Sequence, residues 1–178
     1  MFARTPRLTL RPGWPEDAPA LHRAIAHEVV AMRLARLPWP YTLDHAEAWL
    51  GAPPTPGNHP LLIWAHDRGP APELVGGIGL HPAGDVLEIG YWLTPSAWGC
   101  GYATEAGRAV VDMARHALGQ ERLVSGHFAD NPASGRVLGK LGFRPVGAEQ
   151  RHCLARGEDV ECLTFELDLI ERPVALAA

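Results

Sequence analysis

The chain has 178 residues, of which 47% are hydrophobic and 20% are charged, and its formal net charge is -4. This length fits one globular domain with a substantial core. With this net negative charge, the sequence does not predict a basic surface that would bind nucleic acid or an anionic membrane. Apolar runs end well short of the roughly 20 residues that a membrane span needs, so neither kind of partner is expected.

The cysteine pattern favours reduced thiols. Cys100, Cys153 and Cys162 are odd in number, widely spaced and without a C-x-x-C pair, which argues against a disulfide framework or a zinc site. The N-terminus has no apolar stretch after its first charges, so no secretory signal is predicted. We therefore expect a cytoplasmic protein without a metal centre.

The first half of the chain predicts one strand, two helices and three further strands. Alternating apolar and polar residues predict the first strand, and apolar residues at helical spacing predict the first helix. Thr42 is the expected N-cap of the second helix. Three short strands in succession, separated by turn residues, imply antiparallel pairing. In order, these elements are predicted at residues 8–11, 16–37, 42–50, 61–66, 73–80 and 86–93.

In the second half, helices and strands alternate. Pro132 suits a first helical turn and Gly142 a helix stop. The pattern predicts a single α+β domain over residues 1–172, with a mixed, mostly antiparallel sheet of about seven strands flanked by helices. Residues 173–178 are predicted to form a frayed tail. Helices are predicted at 101–118 and 132–141, and strands at 123–128, 144–150 and 160–169.

Glycines stand between strand 86–93 and helix 101–118. Gly99 and Gly101 allow the backbone to approach a ligand, and the free amides of a helix start favour an anion. Such a loop can bind a pyrophosphate without basic side chains. No P-loop motif is present, and Thr104 stands where a dinucleotide fold needs its third glycine. The remaining alternative to an anion-binding loop is a tight turn with a purely structural role in packing.

Three segments carry a more specific signal. They are T-P-R-L-T-L-R at 5–11, E-I-G-Y-W-L at 88–93 with W-G-C-G-Y-A-T-E-A at 98–106, and D-N-P-A-S at 130–134 with K-L-G-F at 140–143. Together they resemble the GNAT superfamily of N-acetyltransferases, most closely the branch with the ribosomal-protein N-terminal acetyltransferases. The resemblance covers nearly the whole chain. The chain has Ser96 at a position where the wider superfamily commonly has Gln or Arg. This departure is usual in the branch named above.

This resemblance implies a sheet splayed at the cofactor site and acetyl-CoA as co-substrate, without a metal. The implied reaction is direct attack of a primary amine, from a protein N-terminus or a small molecule, on the thioester. Asn131 is equally well placed as a helix N-cap, and both roles are compatible. The implied cofactor-binding residues are Leu93, Thr94, Gly99, Cys100, Gly101, Tyr102, Ala103, Thr104, Asn131 and Ser134.

Catalytic candidates follow from the proton transfers that the reaction needs. Glu88 is the first candidate base, because burying a charge inside an apolar strand is costly and is often linked to function. An equally good alternative is that Glu88 points outward from the polar side of a half-exposed strand. His127 is the second, with a core or surface histidine as its alternative. Many relatives have a Tyr acid where this chain has Leu138, so Ser134 or water is expected to replace it.

Other functions stay open at this point. Leu138 also fits a non-catalytic acyl-CoA-binding regulator, and an antibiotic-modifying acetyltransferase is a further possibility. A dinucleotide oxidoreductase is disfavoured by the order of the strands. The expected partners are an amine acceptor and, through the closing strands, a second copy of the chain.

Overall fold

A computed structural model describes residues 1–170 of the chain. The predicted tail at 173–178 lies outside these residues. The strands are β1 (Ala3–Arg4), β2 (Leu8–Arg11), β3 (His59–Ala65), β4 (Glu73–Ala83), β5 (Val86–Leu93), β6 (Arg122–Phe128), β7 (Arg144–Cys153) and β8 (Glu158–Asp168). The helices are α1 (Ala18–Ile25), α2 (Glu28–Ala31), α3 (Leu43–Gly51), α4 (Tyr102–His116) and α5 (Pro132–Lys140).

The strands form one sheet in the order β1-β2-β3-β4-β5-β6-β8-β7. Every neighbouring pair is antiparallel except β5 and β6, which are parallel. The predicted α+β class and mostly antiparallel sheet are confirmed. Within residues 1–170 the sheet has eight strands rather than about seven, because the two-residue β1 pairs with β2. β7 is an edge strand with mostly exposed residues, and pairing of two copies there stays a prediction.

Each face of the sheet packs against its own helices. Side chains of a strand alternate between the two faces, so Leu61 and Ile63 join the core under α4 and α5. Leu62 and Trp64 point to the opposite face and pack with α1 and α3. The same alternation on β5 sends Tyr91 and Leu93 towards α4 and α5, and Trp92 towards α1.

The long first helix predicted over residues 16–37 is wrong. The chain instead forms a 3-10 turn at Pro15–Asp17, then α1, then the short α2. The break lies at His27, whose backbone is extended, with φ -126° and ψ 126°. Beyond it the buried side shifts by one residue, because Val30 is buried whereas Val29 is 41% exposed.

Contacts with the hairpin of β7 and β8 explain why no helix continues after α2. The Arg156 Nε donates to the Met32 carbonyl at 2.8 Å, and the Leu154 N–H donates to the Ala35 carbonyl at 2.9 Å. In a continuous helix, these carbonyls would accept bonds from residues four positions further along the chain. Tertiary hydrogen bonds therefore override the helical pattern of the sequence.

β5 and β6 separate soon after they meet. Their parallel pairing covers two residues of each strand and ends at Glu88 and Val124. Just beyond, the Ser125 Oγ donates to the Ile89 carbonyl at 2.9 Å and ties the strands together. β5 then stays paired with β4, and β6 with β8, so the two halves of the sheet diverge and leave a V-shaped gap. The predicted splay is confirmed.

Candidate active site

A cavity of about 310 Å³ lies between β5 and α5, on the side where β5 has diverged from β6. β5 forms one wall, α5 forms the opposite wall, and the loop before α4 closes one end. α2 and the residues after it cover part of the opening. The lining residues are Val30, Arg33, Leu34, Tyr91, Trp92, Leu93, Trp98, Gly99, Gly101, Ala103, Thr104, Asn131, Ala133, Ser134, Arg136, Val137 and Lys140.

The loop at the end of the cavity needs glycine at two positions. Gly99 and Gly101 have φ of 75° and 82°, in the left-handed region where other residues are strained. Gly101 is the N-cap of α4 and supplies no side chain to its first amides. Those amides are consequently free for an anionic ligand, and the helix dipole favours negative charge there.

The loop is held from behind by the N-terminal segment. Arg7 donates to the Cys100 carbonyl at 3.1 Å and pairs with Glu105, in the first turn of α4, at 2.7 Å. Glu105 also accepts from the Thr5 hydroxyl at 2.6 Å. Burial would raise the pKa of Glu105, but the hydrogen bonds from Thr5 and Arg7 lower it. These contacts fix the loop through side chains that lie outside the cavity lining.

The backbone of β5 presents alternate residues to the gap. The Thr94 N–H donates to the Val75 carbonyl of β4 at 2.9 Å. In an antiparallel pair such bonding residues alternate, so Trp92 also bonds to β4, while Tyr91 and Leu93 direct their backbone groups towards the gap. The Leu93 carbonyl accepts from the Trp98 Nε1 at 2.9 Å, which leaves the Leu93 N–H directed at the cavity side.

Seven of the ten predicted cofactor residues line the cavity, and three do not. Thr94 is buried beside β4. The Tyr102 side chain is buried and donates to Asp67 at 2.6 Å, and the exposed Cys100 adjoins the lining glycines. The seven lining residues are Leu93, Gly99, Gly101, Ala103, Thr104, Asn131 and Ser134.

Asn131 and Ser134 lie at the start of α5, across the gap from β5. Asn131 occupies the N-cap position, as expected, but its side chain makes no capping hydrogen bond. Its amide is therefore available to the cavity that it lines. The Ser134 Oγ lies 2.7 Å from the hydroxyl of Tyr91 on β5, so a side-chain contact spans the gap.

Glu88 lies outside the cavity lining and is engaged by two partners. Arg151 on β7 donates to it at 2.6 Å, and the His81 Nε2 lies 3.4 Å away. Burial would raise the pKa of Glu88, but hydrogen bonds from His81 and Arg151 outweigh burial and hold the pKa at about 2. A carboxylate with that pKa is a weak base near neutrality. Its catalytic role stays a prediction, and this pairing does not favour it.

His127 is a buried ring beneath α5. Its Nδ1 donates to the Phe128 carbonyl at 2.8 Å, and its ring lies 5.3 Å from that of Phe165. A Cβ added at Gly135 would come within 2.7 Å of its Nε2, so the ring fills the space under the helix. His127 is not among the cavity-lining residues, and its catalytic role also stays a prediction.

Sequence reasoning missed several residues of the cavity. Arg33, Arg136 and Lys140 give the lining three cations, and Arg33 stacks on the Trp98 ring at 4.9 Å. On α5, the one-turn spacing of Arg136 and Lys140 places both on one helix face, a signal that the sequence contained. Arg33 was missed because it fell inside the helix that was predicted too long.

Comparison with known proteins settles the family. Residues 7–144 match the family model described as an acetyltransferase (GNAT) domain. The chain belongs to the GNAT acetyltransferase family. Among curated relatives of this GNAT member is YoaA of Bacillus subtilis, named an uncharacterized N-acetyltransferase, which is 36% identical over 109 residues. That match covers 60% of this chain and 62% of YoaA, so less than two thirds of the relative is spanned.

Solved structures agree on the GNAT fold. A GNAT-family acetyltransferase from Bacillus anthracis superposes with a TM-score of 0.82 at 21% identity, covering 96% of this chain and all of that one. RimL, described as a ribosomal alpha-N-protein acetyltransferase in complex with coenzyme A, gives 0.75 at 18% identity, covering 94% of this chain and 98% of RimL. The predicted family and fold are thus confirmed.

Two further findings concern the described part of this GNAT chain. Within residues 1–170, no group of three or more His, Cys, Asp or Glu side chains is arranged to hold a metal ion. Among the same residues, no helix has the length and apolar character needed to cross a membrane.

Proposed function

We propose that this GNAT member transfers the acetyl group of acetyl-CoA to an α-amino group, at a peptide N-terminus or on an amino-acid-like small molecule. The observation that carries the proposal is the cavity between β5 and α5, which ends at a glycine loop and a helix start. Free amides and three cations at this cavity suit an anionic cofactor, although the whole chain is acidic.

The proposed cofactor position follows the cavity. The pyrophosphate binds the amides of residues 99–104, to which Cys100 and Tyr102 contribute backbone groups, and Arg136 and Lys140 attract the remaining phosphate charge. The pantetheine arm lies along β5 at Leu93, opposite the start of α5, whereas the backbone groups of Thr94 are already bonded to Val75 and Ala97. Acetyl-CoA supplies the activated acetyl group, and the protein orients it.

The proposed chemistry uses groups that line the cavity. The Leu93 N–H stabilises the oxygen of the thioester as charge develops on it. The amine nitrogen forms the new C–N bond, the C–S bond breaks, and the electron pair stays on sulfur as a thiolate. Ser134 donates a hydrogen bond to that sulfur, and the proton lost by the amine passes to water.

The lining also supports the choice of an α-amine. Among the described lining residues there is no carboxylate and no histidine to act as a base. An α-amine has a pKa of about 8, whereas a lysine amine has a pKa of about 10.4. Near neutral pH the neutral, attacking fraction of an α-amine is therefore larger by about two orders of magnitude.

Two versions of one peptide test this choice. The first has a free N-terminus and an acetylated lysine, and the second has a blocked N-terminus and a free lysine. We expect kcat/KM for the first to exceed that for the second, and that for spermidine, by about 100-fold near pH 7.5, measured as release of the CoA thiol. Faster turnover of lysine or of spermidine would contradict the proposal.

A non-catalytic acyl-CoA-binding regulator is the second candidate. Leu138, at the position of the acid in many relatives, is fully buried in the core, so no acid acts from there. Acetyl-CoA binding without turnover of any amine would favour this candidate. We place either function in the cytoplasm, where the three free thiols stay reduced.

A further inference from the structure

The contact between Tyr91 and Ser134 connects the two walls of the cavity. Tyr91 belongs to β5 and Ser134 to α5, and both line the cavity. The Tyr91 hydroxyl lies 2.7 Å from the Ser134 Oγ and 3.0 Å from the Ser134 carbonyl oxygen. Because β5 and α5 stand on opposite sides of the gap, this contact fixes one wall relative to the other next to the proposed path of the pantetheine arm.

The direction of this hydrogen bond decides what Ser134 offers to a ligand. A serine hydroxyl has one hydrogen and rotates to suit its partners. If the serine donated to the phenol, its hydrogen would point away from the cavity. The phenol also donates to the Ser134 carbonyl oxygen, so its single hydrogen has to be shared between the two oxygens of Ser134. That shared donation releases the serine hydrogen, which then points into the space that the residue lines. A phenylalanine at position 91 would remove this control.

Tyr91 keeps its proton over the working range of the proposed reaction. Burial raises the pKa of Tyr91 to about 12. A thiol ionises near pH 8.5, so the phenol is still a donor when the sulfur is a thiolate. No proton has to leave either hydroxyl, since both act as hydrogen-bond donors.

We propose that Tyr91 is a positioning residue, which donates to the Ser134 Oγ and thereby directs the Ser134 hydroxyl hydrogen at the sulfur that leaves acetyl-CoA. This inference rests on the proposed function. In the reaction, the C–S bond breaks and its electron pair stays on the sulfur, which accepts the hydrogen bond of Ser134. The pair therefore takes the place of the acid that Leu138 cannot supply.

The pKa of the CoA thiol bound to the protein tests the proposal without turnover. The thiolate is followed by its ultraviolet absorbance in a pH titration, as the difference between each protein with and without CoA. All proteins carry Cys100→Ser, because the exposed Cys100 thiol lies beside the proposed phosphate position and would respond to CoA. Loss of a hydrogen bond to a charged sulfur is expected to raise this pKa by about one unit. We expect that rise in both Tyr91→Phe and Ser134→Ala, and no further rise in the double variant.

Tyr41→Phe is the matched control. Tyr41 is a buried tyrosine on the opposite face of the sheet, packed with α1 and α3, and it is not among the cavity-lining residues. We expect its thiol pKa to equal that of the wild type. In turnover, Tyr91→Phe is expected to lower kcat about tenfold while KM for acetyl-CoA stays within about twofold.

Calorimetric titration with CoA separates the possible failures. Wild-type protein that binds no CoA overturns the proposed function, and this inference with it. CoA binding with an unchanged thiol pKa in Tyr91→Phe overturns the inference about Tyr91 alone. Shifts in the two single variants that add in the double variant also overturn it, because additive shifts mean that the two hydroxyls act independently.

Discussion

Replacement of Gly99 by glutamate is expected to weaken acetyl-CoA binding by about 100-fold, through local strain and charge repulsion. Gly99 has φ 75° and lines the cavity, and a Cβ added there meets no atom of the described residues within 4 Å, so the branch point itself makes no clash. Its carboxylate would stand among the amides that we assign to the pyrophosphate. Calorimetric titration with acetyl-CoA measures the loss.

Gly119→Glu controls for backbone strain and added charge. Gly119 follows α4 at its other end, has φ 63°, and also has nothing within 4 Å of an added Cβ. The control should bind acetyl-CoA as the wild type does. Added salt should restore part of the affinity of Gly99→Glu, because screening weakens only the repulsion. Equal affinities for the two variants would refute the assigned phosphate position.

Replacement of Arg151 by methionine is expected to lower the free energy of unfolding by about 3 kcal/mol at pH 7, because it leaves Glu88 charged and largely buried. The side chain of Glu88 is only 13% exposed, and Arg151 is its closest charged partner, at 2.6 Å. Urea unfolding at several pH values measures the effect. Arg144→Met, on the same strand with a 59% exposed side chain, should cost less than about 0.5 kcal/mol.

The pH dependence of this effect follows from the sign of the pKa shift. The pKa of Glu88 in the folded wild type is about 2, below the ordinary value of 4.5. The pair therefore stabilises the protein fully above pH 4.5, and its contribution is lost as the pH falls towards 2. The difference between wild type and Arg151→Met should shrink over the same range. A difference that stays constant from pH 7 to pH 3 would contradict the assigned pairing.

Glu88→Gln decides whether Glu88 is a base. With an α-amine acceptor, we expect kcat/KM near pH 7.5 to fall less than tenfold, whereas loss of a general base costs about 100-fold or more. Urea unfolding of the same variant shows whether any loss of turnover comes from unfolding. A loss above 100-fold in a folded variant would instead assign the base role to Glu88, as the sequence first suggested.

Local patterns predicted much of the fold. The three strands β3, β4 and β5 and the helix α4 are close to their expected positions, because each has its own periodicity and is bounded by turn residues. The first helix was predicted too long, since the carbonyls of Met32 and Ala35 bond to a hairpin about 120 residues away in the chain. Periodicity within one segment carries no information about such a partner.

In the candidate site, too, the sequence predicted residues with a local signal and missed pairings between residues far apart in the chain. Gly99 and Gly101 were found because a glycine loop before a helix is a local signal. The partner of Glu88 was not found, because Arg151 is 63 residues away in the chain and reaches it across neighbouring strands. Tyr91 was missed for the same reason, since Ser134 is 43 residues away. Pairings of this kind arise from the topology of the sheet.

A crystal structure of the chain with CoA would test the proposed cofactor site directly. We expect the pantetheine arm to lie in the cavity between β5 and α5, and the pyrophosphate to contact the amides of residues 99–104. We also expect the sulfur to lie within hydrogen-bond distance of the Ser134 Oγ. A structure with CoA bound elsewhere on the protein, or with its sulfur pointing away from Ser134, would contradict the proposed site.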